Sequence, residues 1–122
     1  MPAKLQASNE KIKEAVFAGK LLPSMNFVEK VWAICARIPE GKVVTYGDIA
    51  DKLKSKGYRA VGMAMNRNPY SPKVPCHRVV GSTGKLTGYA GGLDKKQQIL
   101  IKEKVPMQRD GQVDLSLARH RL

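Results

Sequence analysis

The sequence predicts a mainly α, compact winged-helix-like domain with a helix-turn-helix and few short strands, and three observations carry that prediction. Apolar residues recur at helical spacing in several segments, two short helical segments are joined by a glycine-containing turn, and extended runs such as Lys42-Val43-Val44 are brief. A chain of 122 residues with a hydrophobic fraction of 43% is long enough for one globular domain with a modest core. The expected organisation is a single globular unit, with an N-terminal helix and lead-in over residues 1–24 and the main domain, ending in a C-terminal tail, over residues 25–122.

Ser8 has the chemistry of an N-cap for a first helix of about Asn9 to Lys20, with Ile12, Val16 and Leu21 as its apolar stripe and Pro23 ending it. A second helix spans roughly Asn26 to Arg37. Phe27, Val31, Ile34, Cys35 and Ile38 share one of its faces, which makes Cys35 a buried core thiol, and Pro39-Glu40-Gly41 is a turn. Thr45 then caps a third helix, Tyr46 to about Lys54, with Asp48 at the third helical position as the capping-box acid. Ser55-Lys56-Gly57 breaks that helix before a fourth, Tyr58 to about Asn66, and the pair reads as a helix-turn-helix. In the fourth helix Ala60, Gly62 and Ala64 put almost no side chain on one face, with Arg59 near its start. A helix so bare either approaches another surface closely or packs tightly inside the domain.

Asn68-Pro69-Tyr70-Ser71-Pro72 is a loop, and Lys73-Val74-Pro75 is expected to run extended into Cys76, because a residue before proline avoids the helical region. Gly81-Ser82-Thr83-Gly84 forms a tight turn. The glycine-dense stretch Gly88-Tyr89-Ala90-Gly91-Gly92 serves either close backbone approach to a ligand or flexible spacing. The chain turns helical from Leu93 until Val105-Pro106 ends it, Val113-Asp114-Leu115 reads as a short strand or a wrap, and Arg119-His120-Arg121 closes with charge.

With 22 basic against 10 acidic residues, the net charge of +12 points to a polyanionic partner or to a solvated lysine-rich surface. No apolar run reaches membrane-spanning length and the N-terminus lacks the apolar block of a signal peptide. The chain is therefore expected off the membrane, in the cytoplasm or wherever nucleic acid is held. Two well-separated cysteines offer neither a disulfide framework nor metal-ligand spacing, so no metal is expected.

Cys76 differs from Cys35, because Pro75-Cys76-His77-Arg78-Val79 places a thiol beside an imidazole and a cation. A thiol is a useful nucleophile as thiolate, which a neighbouring base promotes by taking its proton. Adjacent residues of an extended run point to opposite faces, so a bridging water or a kinked loop is needed between Cys76 and His77.

Pro75-Cys76-His77-Arg78-Val79-Val80, preceded by Arg59-Ala60-Val61-Gly62 and Asn68-Pro69 and followed by Gly88-Tyr89-Ala90-Gly91-Gly92-Leu93 and Lys96, resembles the active-site domain of the O6-alkylguanine-DNA alkyltransferases. The resemblance runs from Phe27 to Val105 and includes the lead into the helix-turn-helix, Ile38-Pro39-Glu40-Gly41-Lys42-Val43-Val44-Thr45-Tyr46-Gly47-Asp48-Ile49-Ala50. It implies that Cys76 takes the alkyl group from O6 of a damaged guanine and keeps it, without a cofactor. His77 would draw off the thiol proton through a water, Glu103 would orient the imidazole, and Tyr46 would hydrogen-bond the guanine ring as it leaves. Asn68 would brace the turn between the recognition helix and the active-site loop, and the carbonyls of Cys76 and Val79 would read the exocyclic amine. The target nucleotide must leave the duplex. By resemblance the helix carrying Ala60, Gly62 and Ala64 enters the minor groove, Arg59 fills the gap, Tyr89 packs on the lesion and the Ala90 N–H approaches O6. The implied partner is double-stranded DNA containing O6-alkylguanine, met by a monomer associated with the nucleoid in a prokaryote or held in the nucleus of a eukaryote.

Fuller members of that family carry an N-terminal domain, so this chain reads as a stand-alone active-site domain. Its tail, Gly111-Gln112-Val113-Asp114-Leu115, also resembles the alkyltransferase-like proteins, which bind the same lesions without a reactive cysteine and signal to other repair factors. Two readings stand, a self-inactivating alkyltransferase and a lesion-binding module. A transcription regulator is the third, although long polar side chains for base edges are largely missing between Arg59 and Met65.

Overall fold

The computed structural model describes residues 3–55, 57–70, 73–89 and 92–122, and among them six α-helices outweigh two strands of two residues each, so the mainly α class holds. Helix α1 (Ala3–Phe17) begins earlier than expected, which places the Ser8 backbone inside the helix instead of at its cap. It ends before Lys20 because Gly19, at φ 68°, takes the left-handed conformation and Lys20 N–H reaches back to the Ala15 carbonyl at 2.8 Å. Val16 is fully buried, and Phe17 meets Tyr70 edge-on at 5.2 Å.

Helix α2 (Phe27–Cys35) starts at a capping box in which Asn26 and Glu29 exchange side-chain and backbone bonds, so Asn26 is the cap and not the first turn. Its buried face is Val31, Ala33, Ile34 and Cys35, which confirms Cys35 as a core thiol. Strand β1 (Val44–Thr45) passes directly into α3 (Tyr46–Lys52). Thr45 Oγ1 accepts the Asp48 N–H and Asp48 Oδ2 accepts the Thr45 N–H, each at 3.0 Å, the capping box the local pattern requires. Strand β1 pairs in parallel with β2 (Val79–Val80), Val44 opposite Val79 and Thr45 opposite Val80.

Helix α3 stops at Lys54, which sits at φ 55° while Ser55 N–H bonds the Ala50 carbonyl at 2.8 Å. The break therefore precedes Ser55-Lys56-Gly57, of which Lys56 lies outside the described residues. Helix α4 (Tyr58–Asn66) packs against α3 as the second half of a helix-turn-helix, and Trp32 Nε1–H of α2 donates to its Ala64 carbonyl at 2.8 Å. The single bare face expected of α4 does not exist. At about 100° per residue Gly62 lies across the helix from Ala60 and Ala64, and Ala64 is buried in the core beside Val61 and Met65.

Helix α5 (Leu93–Lys102) ends like α3: Lys104 is left-handed at φ 64°, Val105 N–H bonds the Leu100 carbonyl at 3.0 Å, and both apolar side chains are buried together. The core falls into two clusters divided by the strands. Val44 and Val79 face the larger, with Ile34, Ile49 and Val61; Val43 and Val80 face the smaller, with Leu100, Val105, Val113 and Ala118, as the alternation of strand side chains dictates. The tail combines both readings of Val113-Asp114-Leu115: Val113 bridges Met107, and α6 (Leu115–Ala118) follows. Gly84, at φ 87°, brings its carbonyl to the Val113 N–H, and a Cβ there would lie 2.2 Å from the Val113 oxygen. Among the described residues no helix is long and apolar enough to cross a membrane.

Candidate active site

Cys76, His77 and Arg78 form one 3-10 turn leading into β2. The extended approach expected for residues 73–75 is absent. Pro75, at φ −82° and ψ 70°, is the centre of an inverse γ-turn closed by Cys76 N–H on the Val74 carbonyl at 2.9 Å, and Val74 N–H bonds the Tyr70 carbonyl at 3.0 Å. Asn68 holds the segment folded: its Nδ2 donates to the Val74 carbonyl at 2.8 Å and its Oδ1 accepts the Tyr70 N–H at 2.9 Å. Proline restricts the residue before it, but these bonds decide the path of the chain.

Successive side chains of a 3-10 turn project about 120° apart. Cys76 is half-buried, His77 is only 2% exposed, and Arg78 reaches Glu103. His77 Nε2 lies 3.0 Å from Glu103 Oε2. The same carboxylate accepts Arg78 Nε at 2.9 Å and Nη2 at 2.6 Å, and Arg78 Nη1 donates to the Ile38 carbonyl at 2.8 Å. Burial pushes the Glu103 carboxyl up, but its bonds to Arg78 and His77 more than offset this and hold it below its usual range. An ionised Glu103 can only accept, so the imidazole proton sits on Nε2 and Nδ1 keeps its lone pair. His77 Nδ1 is buried and has no hydrogen-bond partner among the described residues. Burial lowers the His77 pKa, with the Glu103 bond opposing, so the ring is neutral at neutral pH.

Tyr46, the first residue of α3, donates its hydroxyl to the Thr87 carbonyl at 3.2 Å and accepts from Thr87 Oγ1 at 3.3 Å. Burial raises the Tyr46 pKa, the Thr87 hydroxyl lowers it, and Cys76 raises it again, so the phenol keeps its proton. Tyr46 lines an open pocket of about 200 Å³ with Tyr58, Gly62, Asn66, Thr87 and Gly88. A larger depression of about 640 Å³, along α3 and the tail, contains none of the four candidate catalytic side chains. Lys96 is fully buried and its Nζ donates to the carbonyls of Val79 and Thr87, both at 2.7 Å. Burial lowers its pKa to about 8.

The structure thus brings Cys76, His77 and Glu103 together and sets Tyr46 beside the loop over β2. Arg59 and Met63 (60%) form the outer face of α4, Tyr58 (59%) and Ala60 are exposed beside it, and at the edge opposite Ala60 a side chain at Gly62 would meet open space. Ala64 points the other way, into the core. The Val79 carbonyl accepts Lys96 Nζ, and that of Cys76 accepts the Val79 N–H. Tyr89 is half-buried, while Ala90, and with it the expected N–H contact, lies outside the described residues.

A family model for the DNA-binding domain of 6-O-methylguanine DNA methyltransferase matches residues 26–105, most of the chain. The chain belongs to that family. The methylated-DNA–protein-cysteine methyltransferase of Methanosarcina mazei is 48% identical over 100 residues, covering 75% of this chain and 63% of that protein. Its counterpart in Methanosarcina acetivorans is 50% identical over 99 residues, covering 74% and 64%. The chain thus spans less than two thirds of the length of these curated relatives. Among solved structures, Mycobacterium tuberculosis OGT in complex with DNA superposes with a TM-score of 0.64 at 40% identity, over 80% of this chain and 66% of that one. Atl1 of S. pombe in complex with damaged DNA containing O6-carboxymethylguanine superposes with 0.70 at 29% identity, over 79% and 95%.

Sequence reasoning gave no role to three residues of this methyltransferase-family site: Arg78, Lys96 and Thr87. Arg78 registered only as a flanking cation. For Lys96 a signal existed, since Lys96, Leu100 and Glu103 fall at i, i+4 and i+7 on one face of α5, and a lysine in line with a core leucine needs a buried partner. Thr87 carried none, because its partner Tyr46 is 41 residues away.

Proposed function

We propose that this chain repairs DNA by transferring an alkyl group, methyl in the simplest case, from O6 of guanine in double-stranded DNA to Cys76, once per protein molecule. The observation that carries the proposal is the His77–Glu103 pair behind the thiol: a neutral imidazole, its Nε2 proton held by a carboxylate at 3.0 Å, its Nδ1 lone pair unused. That is the arrangement of an oriented general base beside a nucleophile. The thiol proton passes through a water to Nδ1, a bond forms between Cys76 Sγ and the alkyl carbon, and the bond from that carbon to O6 breaks. Its electron pair moves into the guanine ring. The Tyr46 phenol, which burial keeps protonated, turns from the Thr87 carbonyl to the ring and stabilises that charge. The product is a thioether, which the same machinery cannot reverse.

The alkyl carbon is out of reach inside a stacked duplex, so the nucleotide is flipped out. The outer face of α4, centred on Arg59 with Ala60 and Gly62 at its two edges, meets the minor groove, Arg59 fills the gap, and the excess of basic residues supplies phosphate affinity that weakens with salt. Tyr89 packs on the extruded base and the Ala90 N–H meets O6. The acting unit is residues 25–122, with 1–24 docked against it, working as a monomer wherever the cell holds its DNA. DNA-bound relatives of known structure support the choice of partner.

Intact-mass spectrometry after incubation with duplex DNA containing O6-methylguanine tests the reading: one methyl is expected, mapped to Cys76 and absent from Cys76→Ala. Tight binding of the lesion duplex with no added mass would instead assign the chain to lesion recognition without transfer.

A further inference from the structure

Residues 106–122 lie beyond the family match, yet they are built into the scaffold of the site. Val43 N–H donates to the Ala118 carbonyl at 2.9 Å and His120 N–H to the Val43 carbonyl at 2.7 Å. The resulting parallel bridge between Val43 and Arg119 lays the tail along the chain just before β1, whose residues pair with β2. From this bridge Arg119 turns its guanidinium onto α3: Nε bonds Asp48 Oδ2 at 3.0 Å and Nη2 bonds Asp48 Oδ1 at 2.5 Å. Asp48 Oδ2 is also the acceptor of the Thr45 N–H, so one carboxylate is shared between the tail and the cap of α3. The first residue of that helix is Tyr46.

We propose that Arg119 is a positioning residue for the alkyl transfer, acting through Asp48 and the α3 capping box to aim the Tyr46 hydroxyl at the reacting guanine. The proposal rests on the role of Tyr46 in stabilising the departing guanine. Support for the fold explains the pair only in part, because Asp48 is 17% exposed but the Arg119 side chain is 52% exposed, and an ion pair with one end so open to water contributes modest stability even when bidentate. Geometry explains it better. The phenol oxygen stands far from its backbone, so a tilt of roughly 10° at the start of α3 displaces it by about 1 Å, enough to matter for a group that must meet a reacting ring. Burial raises the Asp48 carboxyl, and the Arg119 and Thr45 bonds more than offset it, so the clamp is charged at neutral pH.

The experiment combines single-turnover methyl transfer, lesion-duplex affinity and the carbon-13 signal of labelled Tyr46, for wild type, Arg119→Ala, Arg119→Lys, Asp48→Asn and the double variant Asp48→Asn/Arg119→Ala. All are measured well below each protein's melting temperature. Arg119→Ala is expected to slow transfer about tenfold, to change affinity by less than about twofold and to shift the Tyr46 signal, with Arg119→Lys recovering part of the rate. In the Asp48→Asn background, removing Arg119 is expected to add nothing. A wild-type rate in Arg119→Ala, an unmoved Tyr46 signal, or an additive loss in the double variant overturns the proposal. Should wild type transfer no methyl at all, the alkyltransferase reading fails, and the Tyr46 signal alone then decides whether Arg119 aims that side chain.

Discussion

Replacing Glu103 by glutamine keeps the shape of the side chain and removes only its charge, on which the strength of the base at the site depends. Three donors converge on the Glu103 carboxylate: His77 Nε2 at 3.0 Å, Arg78 Nε at 2.9 Å and Arg78 Nη2 at 2.6 Å. A carboxamide has one acceptor oxygen. Oε2 serves both His77 Nε2 and Arg78 Nη2 while Oε1 serves Arg78 Nε alone, so the oxygen settles at the Oε2 position and the NH2 group is set against the Arg78 Nε–H, which can only donate. The imidazole keeps its Nε2 proton but loses the negative charge that stabilises it once Nδ1 has taken the thiol proton. The base is weakened without moving a heavy atom far. A positioned general base contributes roughly 10²–10⁴-fold, so weakening it is expected to lower the methyl-transfer rate constant by about 10²-fold, the low end of that range. Glu103 and Arg78 are only 10% and 16% exposed, so a stability loss on the order of 2 kcal/mol accompanies it, from charge-assisted bonds reduced to neutral ones. Single-turnover kinetics on an O6-methylguanine duplex, with nitrogen-15 spectra of the imidazole, provides the assay. A Glu103→Gln rate within about threefold of wild type, or an imidazole that titrates no lower than in wild type, would refute the reasoning.

The wild-type rate is expected to hold below the ordinary imidazole pKa of about 6.5, because burial lowers the His77 pKa, and then to fall as the folded imidazole protonates; a pH–rate profile reads this. The same shift predicts acid lability: below about pH 6.5 the unfolded chain takes up a proton before the folded one does, so the unfolding free energy drops as pH falls, which urea titration at several pH values measures. Lys96 acts with the opposite visibility. Its folded pKa of about 8 lies below the unfolded value, so the cost of burying its charge is felt at neutral pH and relieved above about 8, and Lys96→Met should lose this rising contribution to the pH dependence of stability, which urea titration of both proteins across that window measures. Lys54→Gly should stabilise the chain by about 1 kcal/mol, since Lys54 sits at φ 55°, where a Cβ is unfavourable; thermal unfolding decides it.

What could be read in the sequence was what neighbours decide. Thr45 and Asp48 are three residues apart, and their exchange of bonds follows from that spacing. Cys35 falls on the same helical face as Val31 and Ile34, and burial follows from period alone. The errors arose where distant groups overrule local preference. The stretch before Cys76 folds back because Asn68 bonds the Val74 carbonyl, and Ala64 faces inward because Trp32 and the core are there to meet it. Lys54 and Lys104 end their helices in a conformation that glycine would adopt more cheaply, so the usual punctuation was missing. Arg78 and Thr87 have partners 25 and 41 residues away, a separation at which no pattern along the chain has force, and for Lys96 the spacing with Leu100 signals burial but not the partner 17 residues away. The His77–Glu103 pairing was reached by resemblance, and the structure places the two side chains in contact.

The contributions to the site are strung out along the chain, from Tyr46 through Cys76 and Glu103 to Arg119, and this bears on how the protein is made. A ribosome releases the chain from its N-terminus. Cys76 therefore emerges as a thiol with no carboxylate behind its neighbouring histidine, and the helix end that holds Glu103 closes only when Lys104 and Val105 have followed. The tail that grips Asp48 comes last of all. A nascent chain thus carries its nucleophile unarmed, and under the single-reaction function proposed above it does not spend itself before it has finished folding.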